Sequence, residues 1–213
     1  MEQANQVKKL EKFIAECKTK SHYEDLLHPG DKFLGWKEKD QIMNSYADWI
    51  MTESNCPSLL VNIPVPHEEM AAEAEALIGR YVKHRGSINP GWSSIVVHGQ
   101  DVDRTQPAEH YIENGTDTKE NSAPYDWTSI AEQCPVTVDW LKNKWPFKSY
   151  KRCRFMLLEP NGYITPHQDY DVRSLAAFNI SLSNPPGVEF ALEEAGLIPW
   201  EPGQARGIDI GRK

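Results

Sequence analysis

The chain has 213 residues, of which 39% are apolar and 25% charged, a composition typical of a globular domain in water. Its formal net charge of -8 argues against a nucleic-acid partner. No apolar run approaches the ~20 residues of a membrane span, so no membrane partner is expected. The polar N-terminus lacks the apolar segment of a signal peptide. The four scattered cysteines form no C-x-x-C pair and no disulfide framework, so we expect a cytoplasmic protein.

The first third of the chain reads as mainly helical. Apolar residues at helical spacing predict helices over residues 1–28 and 40–53. A short apolar run predicts a strand over residues 59–63. The Ala- and Glu-rich stretch 67–84 predicts a further helix, because both residue types favour helices.

The middle of the chain combines a strand, a long polar segment and a helix. WSSIVVH at residues 92–98 predicts a strand. Residues 100–124, rich in Asp, Thr, Glu and Asn, predict a long surface excursion, which is either a lid over a site or an ordinary surface loop. Residues 127–144 predict a helix that Pro135 breaks or restarts.

From about residue 150 onward, short strands alternate with turns that are rich in Pro, Gly and Asn. The predicted strands cover residues 152–158, 162–167, 174–182, 187–190 and 204–210. Helices followed by short strands indicate an α+β fold class whose C-terminal half is a β-sandwich or a jelly roll.

The segment at residues 152–169, RCRFMLLEPNGYITPHQD, carries the clearest chemical signal. A strand, a turn and a second strand lead to His167 and Asp169. Side chains two residues apart on a strand point to the same face, so an imidazole and a carboxylate are expected side by side. They make two thirds of the 2-His-1-carboxylate triad that holds Fe(II) with open positions. A histidine on a strand is also a common structural residue, so the metal oxygenase is a first hypothesis.

Four stretches resemble the aspartyl/asparaginyl β-hydroxylase branch of the Fe(II)/2-oxoglutarate-dependent oxygenases, near the proline cis-hydroxylase-type amino-acid hydroxylases. They are GWSSIVVHG at 91–99, YDWT at 125–128, the segment 152–169, and PGQARGID at 202–209. The resemblance covers roughly residues 90–213. It implies a C-terminal double-stranded β-helix (jelly roll, cupin-like) in residues 91–213, incomplete at the C-terminus. The mainly helical region predicted for residues 1–90 would pack on it, and the two together would form one compact domain.

The resemblance also implies Fe(II), 2-oxoglutarate and O2 as cofactor and co-substrates, with His167 and Asp169 as metal ligands and catalytic residues. The substrate would be an amino acid, a peptidyl residue or a similar small molecule, and the carboxylate of Asp169 favours a free small molecule. Asn179 falls where the family places a polar side chain near 2-oxoglutarate, or it makes a structural hydrogen bond. Arg154 would bind a carboxylate if it faces the interior, and is a surface charge otherwise. Trp92 borders the site or packs in the core.

The second iron-binding histidine of the family has no counterpart in this chain. All other histidines precede His167, and the family position would fall immediately after Lys213. We expect a C-terminally shortened oxygenase, or else a relative that binds metal poorly. In either case the chain alone is expected to bind iron weakly, with little or no activity. A non-catalytic jelly-roll binding module and a cupin-like isomerase stay open as alternatives.

Overall fold

The computed structural model describes residues 2–20, 58–61, 63–84, 89–106, 108–121, 123–145, 151–169, 176–193 and 195–209. Helices and antiparallel sheets in these ranges confirm the α+β class. The double-stranded β-helix stays a prediction. The chain divides into two compact units, which we call the first unit (Met1–Glu68 with Thr165–Lys213) and the second unit (Glu69–Ile164). These two units do not test the predicted division into a helical region at residues 1–90 and a jelly-roll region at residues 91–213.

The described helices are α1 (Glu2–Lys18), α2 (His67–Ala76), α3 (Ala108–Glu113) and α4 (Pro135–Asn143), with a 3-10 turn at Ala131–Gln133. The described strands are β1 (Ser58–Val61), β2 (Val82–Lys83), β3 (Trp92–Gly99), β4 (Asp126–Trp127), β5 (Cys153–Leu158), β6 (Ala176–Ile180), β7 (Ala191–Leu192), β8 (Gly196–Leu197) and β9 (Ala205–Asp209). Within the part of the chain that the structure describes, no helix is long and apolar enough to span a membrane.

The first unit is built on an antiparallel sheet in which β9 lies between β1 and β6. β7 and β8 form a separate hairpin. A buried apolar cluster connects this hairpin to the sheet. Its members are Leu192, Ala195, Ile198 and Ile208, with Phe190 packed against them. Because Ile208 belongs to β9, one face of the sheet is covered by the hairpin.

Helix α1 packs against the same hairpin. Its residue Cys17 is 1% exposed, and the Sγ atom lies 3.7 Å from the carbonyl oxygen of Leu192. Lys18 in the last turn pairs with Glu189 at 2.5 Å. A cation at this end is favourable because the helix dipole is negative at its C-terminus. The helix predicted for residues 1–28 is therefore confirmed over Glu2–Lys18; residues 21–28 lie outside the described ranges.

The second unit is organised by β3, its central strand. β5 pairs with one edge of β3 over most of its length, and β2 and β4 pair with the other edge at opposite ends. The ladder between β3 and β5 shifts register between Val96 and His98, so that Val97 is an extra residue, as in a β-bulge. Three consecutive residues, Ile95, Val96 and Val97, are at most 1% exposed. An apolar run of this kind marks a strand that is covered on both faces.

Helix α4 begins at Pro135 without a hydrogen bond from its own N-cap side chain. The carboxylate of Glu73 in α2 takes that role. Its oxygens accept hydrogen bonds from the N–H groups of Val136 and Thr137, at 2.7 and 3.0 Å, and from the Thr137 hydroxyl at 2.6 Å. A carboxylate is stabilising here because the first N–H groups of a helix lack partners and the helix dipole is positive. Glu73 therefore joins α2 to α4.

Two predicted helices are shorter than expected. The helix predicted for residues 67–84 ends at Ala76, since Gly79 adopts a left-handed conformation (φ +98°) after it, and Val82–Lys83 then pairs with β3. The prediction for residues 127–144 was wrong at its start, where Trp127 belongs to β4, and right from Pro135, which restarts the helix. The helix predicted for residues 40–53 lies outside the described residues.

The strands predicted for 59–63, 92–98, 152–158, 174–182 and 204–210 are confirmed in β1, β3, β5, β6 and β9, with shifted ends. The strand predicted for 162–167 is wrong. Pro166 has no N–H to donate to a ladder, and Tyr163 makes a single backbone bond, to Pro90 at 3.1 Å. The strand predicted for 187–190 is also wrong, because Gly187 sits in a turn (φ +92°) and pairing begins only at Ala191.

Replacing Glu73 with alanine should lower the free energy of unfolding by about 2 kcal/mol, because three donors at the start of α4 lose their charged acceptor. Glu73→Gln should lose less, since the amide oxygen still accepts. The matched control is Glu75→Ala, an exposed glutamate of the same helix. Denaturant unfolding measures all three variants. Equal losses for Glu73→Ala and Glu75→Ala would contradict the capping role.

Candidate metal centre and the Trp92–Arg154 sheet face

A tight turn leads from β5 toward the predicted metal ligands. The Glu159 N–H donates to the Gly91 carbonyl at 2.9 Å, and the Gly162 N–H donates to the Glu159 carbonyl at 2.8 Å. A Cβ atom on Gly91, whose φ is +78°, would lie 2.8 Å from the Cα atom of Gly162. The two backbones approach so closely because both residues are glycines. The turn is thus anchored beside the start of β3.

His167 and Asp169 lie together in the first unit, although the strand predicted to carry them does not form. The Nε2 atom of His167 lies 3.6 Å from Oδ1 of Asp169, and the two side chains are 33% and 36% exposed. The Nδ1 atom of His167 lies 2.7 Å from the carbonyl oxygen of Thr165. A carbonyl oxygen only accepts, so Nδ1 carries the proton when the ring is neutral. Nε2 then has the lone pair that a metal requires.

The pair fits two of the three protein positions of a facial triad. Two ligand atoms that each lie ~2.1 Å from a metal, with a right angle between them at the metal, are about 3 Å apart. The observed separation of 3.6 Å is slightly longer, so a small side-chain rotation would bring both donors within bonding distance of one metal ion. The backbone carbonyl behind His167 is the kind of partner that orients metal-binding histidines. Among the described residues, no group of three or more His, Cys, Asp or Glu side chains is arranged to hold a metal ion.

Asn179 lies on β6 in the same unit. It pairs across the ladder with Arg206 of β9, and paired residues point to the same face. Ile208, two residues further along β9, shares that face and belongs to the apolar cluster under the hairpin. This position suits the structural reading of Asn179 offered by the sequence. A contact with 2-oxoglutarate stays a prediction.

Trp92 and Arg154 share one face of the second unit's sheet. The register pairs Trp92 with Leu158, Ser94 with Met156, and Val96 with Arg154, and these residues alternate with those of the opposite face. Trp92 is 6% exposed, whereas Met156 and Leu158 are 44% and 41% exposed. We call this surface the Trp92–Arg154 face. It combines a cation, a buried indole and accessible apolar side chains.

Arg154 is partly buried and its Nη1 donates a hydrogen bond to the Thr105 carbonyl oxygen. It is therefore held against a loop rather than extended into solvent. The binding of a carboxylate by Arg154, and the bordering of a site by Trp92, stay predictions.

A comparison with protein-family models matches residues 65–210 to the aspartyl/asparaginyl β-hydroxylases. The match spans well over half of the chain. The chain belongs to this family. Searches of curated proteins and of solved structures found no match. The family match begins at residue 65, whereas the resemblance seen in the sequence began near residue 90. The match therefore includes α2 and β2 as well as the later strands.

Membership in the aspartyl/asparaginyl β-hydroxylase family indicates a hydroxylase-type function at a coarse level. The family generally depends on Fe(II) and 2-oxoglutarate. The assignment of His167 Nε2 and Asp169 Oδ1 as ligands of that metal in this chain stays a prediction.

The sequence analysis missed a buried polar cluster in the second unit. His84, Ser94 and Thr105 are at most 3% exposed, and the Nδ1 atom of His84 lies 3.1 Å from the Thr105 hydroxyl and 3.3 Å from the Ser94 hydroxyl. Nothing in the sequence signals this cluster, because its members are 10 or more residues apart along the chain. Their proximity results from the pairing of β2 with β3 and from the loop that follows β3.

The segment 100–124, predicted to be a long surface excursion, contains α3 and makes contacts among its own described residues. Arg104 pairs with Asp117 at 2.7 Å and its guanidinium lies 4.9 Å from the centre of the Tyr111 ring. The Gln100 amide donates to the Ala123 carbonyl at 2.8 Å, which closes the base of the excursion. A role as a lid stays a prediction.

Burial raises the pKa of each of the three described cysteines. Burial raises the pKa of Cys153 to about 12. Burial, together with the nearby Glu73 carboxylate, raises the pKa of Cys134 to about 11, against a smaller opposing effect of Arg80. Burial also raises the pKa of Cys17. Since the thiolate is the reactive form of cysteine, these three thiols are expected to be weak nucleophiles near neutral pH.

Alkylation should be slow at Cys134 and Cys153. At pH 8 their raised pKa values lower the thiolate fraction at least ~100-fold relative to an ordinary thiol, and burial slows access further. Iodoacetamide labelling followed by peptide mass spectrometry measures the rate at each site. The same reaction in guanidinium chloride is the control, where the two cysteines should react alike and fast. Equal rates in the folded and unfolded protein would contradict the prediction.

Proposed function

We propose that this chain is an Fe(II)- and 2-oxoglutarate-dependent hydroxylase of an amino acid, a peptidyl residue or a similar small molecule. The observation that carries the proposal is the donor pair of His167 and Asp169, 3.6 Å apart, with the proton of the imidazole held on the other ring nitrogen. Family membership supports hydroxylase chemistry, and the donor pair supports a metal ion as its agent.

Each residue has a defined task in this proposal. His167 binds the metal through Nε2, while the Thr165 carbonyl keeps the proton on Nδ1 and fixes the ring plane. Asp169 binds through Oδ1 and supplies a negative charge that offsets part of the metal's charge. When bound, Fe(II) with 2-oxoglutarate and O2 supplies the oxidising power, and the protein supplies orientation and shielding.

The co-substrate needs a partner for its carboxylate groups. The sequence offers two candidates, Arg154 and Asn179. A guanidinium such as that of Arg154 binds a carboxylate through two parallel hydrogen bonds. The carboxylate at Asp169 supports a free amino acid or another small molecule as the substrate class.

His167→Ala and Asp169→Ala should each weaken Mn(II) binding at least ~100-fold, Mn(II) serving as a redox-stable substitute for Fe(II). Loss of a residue that merely orients a metal ligand costs about 10–100-fold, and loss of the ligand itself should cost no less. Asp169→Asn should fall between the wild type and Asp169→Ala. Calorimetric titration to millimolar metal, with and without 2-oxoglutarate, measures these affinities.

The control is His110→Ala, which removes an exposed histidine of α3. It should bind Mn(II) as the wild type does. If the wild type binds neither Mn(II) nor 2-oxoglutarate, the hydroxylase proposal fails and a non-catalytic binding module replaces it. If His110→Ala weakens binding as strongly as His167→Ala, the assigned ligands are wrong.

Because two protein ligands hold a metal less firmly than three, the wild-type chain in excess Fe(II), ascorbate and 2-oxoglutarate should form succinate only slowly, and faster when a free amino acid that it hydroxylates is present. A screen of the common amino acids, with peptides containing Asp or Asn in parallel, identifies the substrate by the gain of one oxygen in mass spectrometry. His167→Ala should form no such product. Oxygenation of the peptides alone would contradict the preference for a free small molecule.

A further inference from the structure

A buried histidine joins the segment 100–124 to the sheet of the second unit. His84 is 1% exposed and follows directly after β2. Its Nδ1 atom lies 3.3 Å from the hydroxyl of Ser94 on β3 and 3.1 Å from that of Thr105 on the segment. The side-chain amide nitrogen of Gln106 lies 3.2 Å from Nε2 and 3.3 Å from Nδ1. His84 therefore contacts the sheet and two consecutive residues of the segment.

Gln106 also holds the helix of this segment. Its backbone N–H donates to the Tyr111 hydroxyl of α3 at 3.3 Å. The Arg104 guanidinium lies over the Tyr111 ring and pairs with Asp117, whose N–H donates to the Tyr111 carbonyl at 3.2 Å. The contact of Gln106 with His84 thus fastens a connected set of groups rather than one side chain.

These surroundings suit a neutral imidazole. A neutral ring has one N–H donor and one lone pair, whereas a protonated ring has two donors. The Gln106 amide nitrogen only donates, and it lies within 3.3 Å of both ring nitrogens of His84, so it meets the lone pair in either tautomer. The two hydroxyls donate or accept as required. In a protonated ring, the amide nitrogen would face an N–H group at both positions.

The charged and titratable residues of the elements around His84 are, within the described ranges, Lys83 of β2, His98 of β3, Arg154 of β5, and Asp101, Asp103 and Arg104 at the start of the segment. Lys83 and the two aspartates are exposed. Arg154 reaches the cluster, because its Nη1 donates to the Thr105 carbonyl oxygen. Arg85, next in the sequence, lies outside the described residues. A proton on His84 would thus add a positive charge to a cluster that already holds a cation.

Turning the Gln106 amide around would satisfy the nitrogens of a protonated ring but would not supply a counter-charge. Burying a charge is costly unless an opposite charge lies beside it. If Thr105 and Gln106 move away, water solvates the charged ring. The released form then binds the proton more tightly than the fastened form does. The segment is accordingly held best when the ring is neutral, and the hold weakens as the pH falls.

We propose that His84 is an acid-sensitive latch. As a neutral ring it fastens Thr105 and Gln106, and through them the segment 100–124, to β3; as a protonated ring it releases them. Release also takes the Thr105 carbonyl away from Arg154. All of these residues belong to the second unit, so the latch is independent of the proposed metal chemistry.

Hydrogen exchange followed by mass spectrometry measures the latch in the full chain. Exchange rates of peptides from the segment 100–124 are divided by those of the denatured chain at the same pH, which removes the pH dependence of the exchange reaction. If the released form binds the proton about tenfold more tightly, protection of the segment should fall by up to about tenfold between about pH 7.5 and about pH 5. Peptides from α4 should keep their protection within about twofold, since the opening is local.

Two variants change the ring or its partner. His84→Phe keeps a ring against Trp92 and takes up no proton, so the segment should be less protected than in the wild type and to the same extent at both pH values. Gln106→Glu places a carboxylate beside the protonated ring, so the segment should stay protected in acid. For each variant, protection at the two pH values should agree within about twofold.

The matched control is His110→Phe, the same substitution within the segment itself. His110 is exposed, and its ring packs edge-on against Tyr111 at 5.5 Å, a contact that phenylalanine also makes. This variant should lose protection in acid as the wild type does. If His110 or Asp117 carried the effect of acid, His84→Phe would still show it.

Four results would each overturn the latch. They are unchanged protection of the wild-type segment in acid, a pH dependence that survives in His84→Phe, a loss in Gln106→Glu equal to that of the wild type, and a parallel loss in α4, which indicates unfolding of the whole unit. If His84→Phe fails to fold, which circular dichroism reports, Gln106→Glu decides the result by the same measurement.

Discussion

The antiparallel ladder between β3 and β5 is the constraint on which the second unit depends. Its register fixes which side chains share a face, and a shift of one residue would move each of them to the other side. The ladder brings Trp92 beside Leu158, and Arg154 beside Val96, although these residues are far apart along the chain. The β-bulge at Val97 changes this alternation beyond Val96, so the shared face ends three residues before the last residue of β3, Gly99.

The polar cluster and the sheet face are therefore one arrangement. β2 presents His84 to β3, and β3 supplies Ser94 and Trp92. The loop after β3 turns back so that Thr105 reaches both His84 and Arg154. A cation on a sheet would ordinarily extend toward water, whereas the hydrogen bond to the Thr105 carbonyl holds the Arg154 guanidinium against the loop.

The candidate metal donors depend on a different kind of constraint. His167 and Asp169 do not belong to a strand, and their proximity comes from an irregular segment that follows an anchored turn. The backbone carbonyl of Thr165, two residues before His167, decides which ring nitrogen carries the proton. A local backbone contact thus favours the tautomer in which Nε2 of the imidazole carries the lone pair.

The sequence by itself determined the α+β class and most of the strands, and it singled out the His167–Asp169 pair as the predicted metal ligands. These follow from local information: apolar periodicity, turn residues, and the donor chemistry of two side chains two residues apart. Only the tertiary structure decided that the segment 162–167 is no strand, that α2 ends at Ala76, and that His84 joins Trp92 and Thr105. Those features depend on hydrogen bonds and packing between residues distant in sequence, which local propensity does not encode.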